Sequence, residues 1–183
     1  DVLGGPLAYG SVRWLSVTAV RIHEPGRILP RAAVVSFDDI TERRQTEQAL
    51  RKLSLAVEQS PHSIIITDVA GRIEYVNDAF VRNSGYAAAE ALGRKAGFRG
   101  AGETPPTRYA ELWQALLAGD GWEGEFINRH RDGRLMVERA RISPIRQADG
   151  SISHFLSIQE DITEHKRLAA ELGVAIVAPD TSP

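Results

Sequence analysis

The strongest constraint on this chain is an internal echo. Ser36 to Arg44 reads SFDDITERR and Ser157 to Arg167 reads SIQEDITEHKR, with Asp39-Ile40-Thr41 and Asp161-Ile162-Thr163 standing 122 residues apart. That period is about one domain length, so one whole repeat and the tail of another are expected. The likeness extends backwards, because Arg13 to Ile22 (RWLSVTAVRI) echoes Arg134 to Ile142 (RLMVERARI). Asp1 to Arg44 is therefore expected to form the last strands of a domain whose beginning is missing.

Several function classes are excluded by composition. There is no cysteine among 183 residues, which removes disulfides, thiolate catalysis, cysteine-ligated zinc and cysteinyl adducts. The formal charge of −2 gives no general attraction to nucleic acid or an anionic membrane, so neither partner is expected. No apolar run approaches the roughly 20 residues that span a bilayer, and no signal-peptide pattern opens the chain, so a cytoplasmic location is the expectation. Histidines 23, 62, 130, 154 and 165 are scattered without metal-ligand spacing. No nucleophile triad or kinase nucleotide motif stands out, and no enzyme activity is expected.

Taken in order, Asp1 to Gly10 has no period and receives no assignment. Val12 to Ile22 and Ile28 to Phe37 read as strands around the turn HEPGR, and a hairpin without the rest of its sheet would expose apolar surface. Thr41 to Gln59 lacks proline and glycine and places Leu50, Leu53 and Val57 at helical spacing, with Thr41 available as N-cap. That apolar stripe suits packing on its own domain and pairing with a second copy equally. SIIITD (Ser63 to Asp68) and RIEYVN (Arg72 to Asn77) form a hairpin, and Asn77 or Asp78 caps a short helix that Gly85 ends. Ala87 to Leu92 forms another. Gly93 to Pro106 is too glycine-rich to be regular, and Thr107 to Leu117 is helical again. Trp122 to Arg129, Leu135 to Ile145 and Ile152 to Ile162 then make a three-strand meander. The fold class is α+β, one antiparallel sheet with short helices on one face.

At this level of detail, Leu55 to Arg167 resembles the PAS family of sensor domains. The matching features are SPHSIIITDVAGRIEYVNDAF, the SGY turn with its helix and LGR, the GWEGEFINRHRDG hairpin, and FLSIQEDITEHKR. The resemblance implies a PAS fold with a five-stranded antiparallel sheet cupped by helices, and these boundaries: 1–40 a remnant of a preceding PAS domain, 41–59 a helical linker, 60–163 a complete PAS domain, 164–183 an outgoing helix and tail. It also implies a signal-transduction module, of the bacterial two-component type, whose effector lies elsewhere, with homodimers forming through the PAS domain and linker helices.

Within the family the chain is most similar to flavin-binding PAS domains, both the blue-light LOV type and the redox type of nitrogen-fixation regulators. Strand alternation puts Trp122, Gly124, Phe126 and Asn128 on one face. The resemblance then implies an amide of Asn128 at a flavin's pyrimidine edge, Gln159 against the central ring, Phe126, Ile66 and Phe98 in the same site, Trp113 matching a tryptophan of the nitrogen-fixation type, and Arg94 toward a diphosphate. Asp161 and Thr163 cap the junction through which the signal leaves. FAD is the implied cofactor, read by redox state or by light without a sulfur adduct. The departures are specific. Ala96 replaces the LOV photoactive cysteine, Gly97 and Gly100 replace an arginine and a glutamine, and Glu138 stands where LOV domains have a second asparagine. Ile65 and Ala96 replace a serine and a glutamate proposed as a proton route. Arg94, Lys95, Arg99 and Arg108 read either as partners of a flavin diphosphate at the mouth of the cup or as a solvated basic rim. The alternatives left open are a ligandless interaction module and a pocket for a different small molecule.

Overall fold

The computed structural model describes residues 2–6, 12–22 and 32–173. The Val174 to Pro183 tail and the HEPGR turn lie outside them. The chain divides into two compact units, Asp1–Leu55 and Ala56–Pro183.

In the first unit, β1 (Val2–Pro6), β2 (Val12–Ile22) and β3 (Ala32–Asp39) form an antiparallel sheet in the order β1-β2-β3. The unassigned start thus contributes a strand, which pairs Val2 with Ser16 and Pro6 with Val12. Val20, Val34 and Phe37 of this sheet are exposed. Helix α1 (Thr41–Glu58) follows and buries none of its residues, leaving Leu50 and Leu53 more than 60% exposed. Thr41 does not serve as the expected N-cap but is the helix's first residue. Its hydroxyl accepts from Trp14 N, 2.8 Å, while its own N–H donates to Asp39 Oδ1, 3.0 Å.

The second unit has a five-stranded antiparallel sheet in the order β5-β4-β8-β7-β6, built from β4 (Ser63–Asp68), β5 (Ile73–Val76), β6 (Trp122–Arg129), β7 (Leu135–Arg146) and β8 (Ile152–Asp161). Alternation sorts the faces. Ser63, Ile65 and Thr67 of β4, Met136, Glu138, Ala140 and Ile142 of β7, and Phe155, Ser157 and Gln159 of β8 are all buried. The helices are α2 (Asp78–Ser84), α3 (Ala88–Ala91), α4 (Pro106–Ala118) and α5 (Thr163–Glu171). The loop read as irregular contains a 3₁₀ turn, Ala96–Arg99. One apolar cluster joins Ile65, Ile73, Val76, Phe80 and Ala91, and a second joins Leu112 and Leu116 of α4 to Trp122, Phe126, Ile142 and Phe155 of the sheet.

Two polar devices set this geometry. Asn77, fully buried, caps α2 by accepting from Phe80 N (3.1 Å) and also accepts from Ile64 N (2.9 Å). Its Nδ2 donates to the carbonyls of Val57 and His62, both at 3.0 Å. One amide thereby ties the end of α1, the entry to β4 and the start of α2 together. Nearby, the Tyr75 hydroxyl donates to Glu58 Oε1, and burial together with that carboxylate pushes the phenol up to about 12. At the other end, Thr163 Oγ1 accepts from Val137 N (2.9 Å), Asp161 Oδ1 accepts from Thr163 N (2.9 Å), and Ile162 N donates to Val137 O (2.9 Å). The first unit repeats this junction bond for bond, with Trp14, Asp39, Ile40 and Thr41 in the corresponding places.

Replacing Asn77 by alanine removes four hydrogen bonds made by a fully buried side chain, although Phe80 N keeps its backbone bond to Asn77 O (3.1 Å), and a loss of about 2–4 kcal/mol is expected in chemical denaturation. Asn77→Asp retains the acceptors but sets a carboxylate against two carbonyls. It should be no more stable than the alanine variant, and a near-neutral effect would show that water replaces the amide.

Candidate functional site

The cup of the second unit encloses a cavity of about 490 Å³. This lies within the range of small-molecule sites, roughly 300–1,000 Å³. Its walls are mainly apolar: Tyr109, Leu112, Trp113 and Leu116 from α4 face Phe126, Ile142 and Phe155 from the sheet. Helical spacing puts the α4 residues on one side, and strand alternation points the sheet residues to meet them. Phe126 stacks on Tyr109 at 5.5 Å between centroids, and Trp113 meets Phe155 edge-on at 6.1 Å. Gly71 is required where it stands, with φ of 74° and an added Cβ only 3.1 Å from the Trp113 ring. Lys95, Ala96 and Gly97 also line the cavity.

The polar lining is formed by Asn128, Ser157, Gln159 and Thr67. Behind the two amides lies a buried ion pair. Arg99 and Glu138 are each about 2% exposed at the side chain, with Nη2 3.0 Å from Oε2 and Nη1 3.2 Å from Oε1. Arg99 Nη2 also donates to Gln159 Oε1 at 2.8 Å, Asn128 Nδ2 donates to Glu138 Oε2, and Gln159 Nε2 donates to Ser157 Oγ at 3.2 Å. The guanidinium sits 5.0 Å above the Phe80 ring. Register explains the convergence. Glu138 is directly opposite Phe126 on β6 and Asp161 on β8, placing it diagonal to both Asn128 and Gln159.

The structure therefore gathers Asn128, Gln159, Phe126 and Trp113 around one cavity. Three other anticipated residues stand apart from its lining. Ile66 lies on the face of β4 opposite Ile65 and Thr67, half-buried and paired with Tyr75 and Leu156. Phe98 packs edge-on to Tyr86 at 5.2 Å against the Ile65 cluster, and exposed Arg94 lies 4.0 Å over the Phe98 ring. Asp161 and Thr163 occupy the exit junction.

Arg99 corrects the sequence reading, since it points into the core rather than joining a solvated rim. Glu138 likewise faces inward, paired with Arg99. A signal for this was present in the sequence. Alternation along β7 turns Glu138 inward, and a carboxylate removed from water demands a cation. What the linear chain lacked was the 3₁₀ turn that swings Arg99 under the sheet. Among the described residues, no group of acidic and histidine side chains is arranged to hold a metal.

Removing one partner of such a pair leaves an uncompensated buried charge. Arg99→Met should lose about 3–5 kcal/mol of unfolding free energy, and Arg99→Met/Glu138→Gln should recover most of it. Equal stability of the single and double variants in urea titrations would refute an energetic coupling of the two charges.

Comparison with known proteins places this geometry. The family model for the PAS domain matches residues 61–164. The nitrogen fixation regulatory protein of Klebsiella pneumoniae is 37% identical over 107 residues, covering 58% of this chain and 22% of that protein. A blue-light-activated histidine kinase of Rhizobium johnstonii is 32% identical over 122 residues, covering 64% of this chain and 35% of the kinase. The chain thus spans about a fifth to a third of the length of these relatives. Among solved structures, an RNA-binding Light-Oxygen-Voltage receptor aligns with a TM-score of 0.64 at 26% identity, over 86% of this chain and 42% of its own. The LOV domain of the Erythrobacter litoralis EL346 blue-light activated histidine kinase aligns at 0.54 and 26% identity, over 57% of this chain and 99% of its own. The chain belongs to the PAS domain family, and its PAS domain is related to those of the nitrogen fixation regulatory protein and the blue-light-activated histidine kinases.

Proposed function

We propose that the second unit is a flavin-binding sensory module, taking FAD as a redox cofactor and passing its state to the helices at either end. The observation that carries this reading is the cavity itself. A mainly apolar cavity lined by aromatic side chains and by the polar groups of Asn128, Ser157 and Gln159 suits a planar heteroaromatic ring with a hydrogen-bonding edge. Tyr109, Trp113, Phe126 and Phe155 hold the ring by contact, and the two amides orient it. Lys95 lies where a cation can meet a phosphate chain, with Arg94 exposed nearby on the same loop. A bound flavin supplies reversible uptake of electrons and protons. Because the chain contains no cysteine, a thiol adduct is chemically unavailable, and the similarity to the nitrogen fixation regulatory protein favours the redox reading and FAD.

The exit route follows from bonds already described. Glu138 lies behind the cavity's two amides, and its neighbour Val137 bonds Thr163 and Ile162 at the start of α5. Gln159 stands two residues before Asp161, which caps the same turn. A change of hydrogen bonding inside the cup therefore reaches α5 through one residue step on β7 or two on β8.

A second feature favours an assembly role alongside sensing. The Leu50 and Leu53 face of α1 is unburied, and pairing of linker helices in a homodimer would cover it. Leu53→Glu should then shift the protein toward monomer in light scattering at matched concentrations, whereas an unchanged mass would remove α1 from the interface.

The test of the flavin reading is the visible absorption spectrum of the purified chain before and after incubation with FAD. A structured flavin band is expected, bleached by dithionite and restored by air, with Asn128→Ala or Gln159→Ala weakening FAD binding about tenfold or more. A chain that remains colourless after incubation would overturn it and leave the interaction or other-ligand reading.

A further inference from the structure

The buried ion pair does more than balance its own charges. Arginine is only a donor, so the Gln159 atom facing Arg99 must be the carbonyl oxygen, at 2.8 Å from Nη2. An ionised glutamate is only an acceptor, so the Asn128 atom facing Glu138 must be the NH2 group. The two amides are thereby held in opposite senses. Asn128 Oδ1 receives no hydrogen bond among the described residues, and Gln159 Nε2 is held only by Ser157 Oγ. Both amides line the cavity.

We propose that Arg99 and Glu138 are positioning residues that lock the two cavity amides, so that the site presents an acceptor at Asn128 Oδ1 and a donor at Gln159 Nε2. The ligand class this selects is a planar heterocycle whose edge sets an N–H donor beside a carbonyl acceptor. That consequence rests on the flavin reading, while the lock itself does not. Turning Gln159 end for end would place its NH2 against the guanidinium, two donors face to face. Turning Asn128 would set its carbonyl oxygen against the carboxylate. Both rotations are opposed by the same pair, so any signal leaving through β8 must shift the locked unit as a whole or break the Arg99–Gln159 bond.

Two measurements on the full chain test this. In the absence of ligand, the side-chain NH2 resonances of Asn128 and Gln159 are followed by ¹⁵N-resolved NMR in the native protein and in Arg99→Met/Glu138→Gln, which removes both charges at similar volume. The expected native pattern is two dispersed, slowly exchanging NH2 pairs that move toward free-amide shifts in the double variant. Free-amide shifts and rapid exchange in the folded native protein would overturn the lock, and this arm needs no variant to fold. The second measurement compares riboflavin with its N3-methylated form, which lacks the N–H donor. The native protein should disfavour the methylated ring by about tenfold or more, and the double variant should lose most of that preference. Equal preference in both proteins would overturn the selection by locked amides. If neither flavin binds, the NMR arm still decides the lock, and the flavin reading alone has failed.

Discussion

Glu138 sits on a strand flanked by β6 and β8 with its carboxylate out of water, and much of the cup's polar chemistry follows from that placement. A charge so buried persists only with a cation and further donors around it. Arg99 supplies the cation and Asn128 one of the donors, while Gln159 is drawn in by the second valence of the guanidinium. Four side chains from three strands and one 3₁₀ turn thus form a single unit. Well-packed apolar residues of the same volume would cost less to bury, so the network's value lies in the specific atoms it turns toward the cavity rather than in stability.

The apolar half of the cup depends on a different constraint. Helix α4 can line one wall because Tyr109, Leu112, Trp113 and Leu116 fall on one side at helical spacing, and Gly119, with φ of 85°, ends the helix before it would overrun the sheet. The opposite end of the domain is fixed by Asn77, whose four hydrogen bonds orient β4 relative to α2. With both ends held, the space under α4 is a consequence of the frame and not of a loosely packed core.

The joints to the flanking helices use one motif twice. The Asp-Ile-Thr sequence makes the same three backbone-directed bonds at Asp39 to Thr41 and at Asp161 to Thr163. In each case a threonine hydroxyl accepts from the strand paired with the one that leads into the helix, β2 beside β3 and β7 beside β8, so that neighbouring strand and the helix cannot move independently without breaking it. In the second unit that strand residue is Val137, adjacent to Glu138. A rigid joint placed next to the buried network is a short physical path between a cavity and a helix.

Much of this was legible in the linear chain. The echo at 122 residues fixed the repeat, alternation placed Phe126 and Asn128 on one face, Gly85 marked a helix end, and Asn77 was readable as a cap. These are local properties, set by backbone sterics and by periodicity within a few residues. The assignment of Ile66 to the cup face went astray because an all-apolar run such as Ile64-Ile65-Ile66 carries no alternation to choose a face; pairing with β5 and β8 made that choice. Arg99 looked like a surface cation because arginine usually is one. Only the tertiary fold brings residue 99 beside residues 138 and 159, and only there does the cost of an unpaired buried charge select its orientation. Sequence determined the elements and their inward faces through local energetics. The tertiary structure decided which charges met, because that depends on contacts dozens of residues apart.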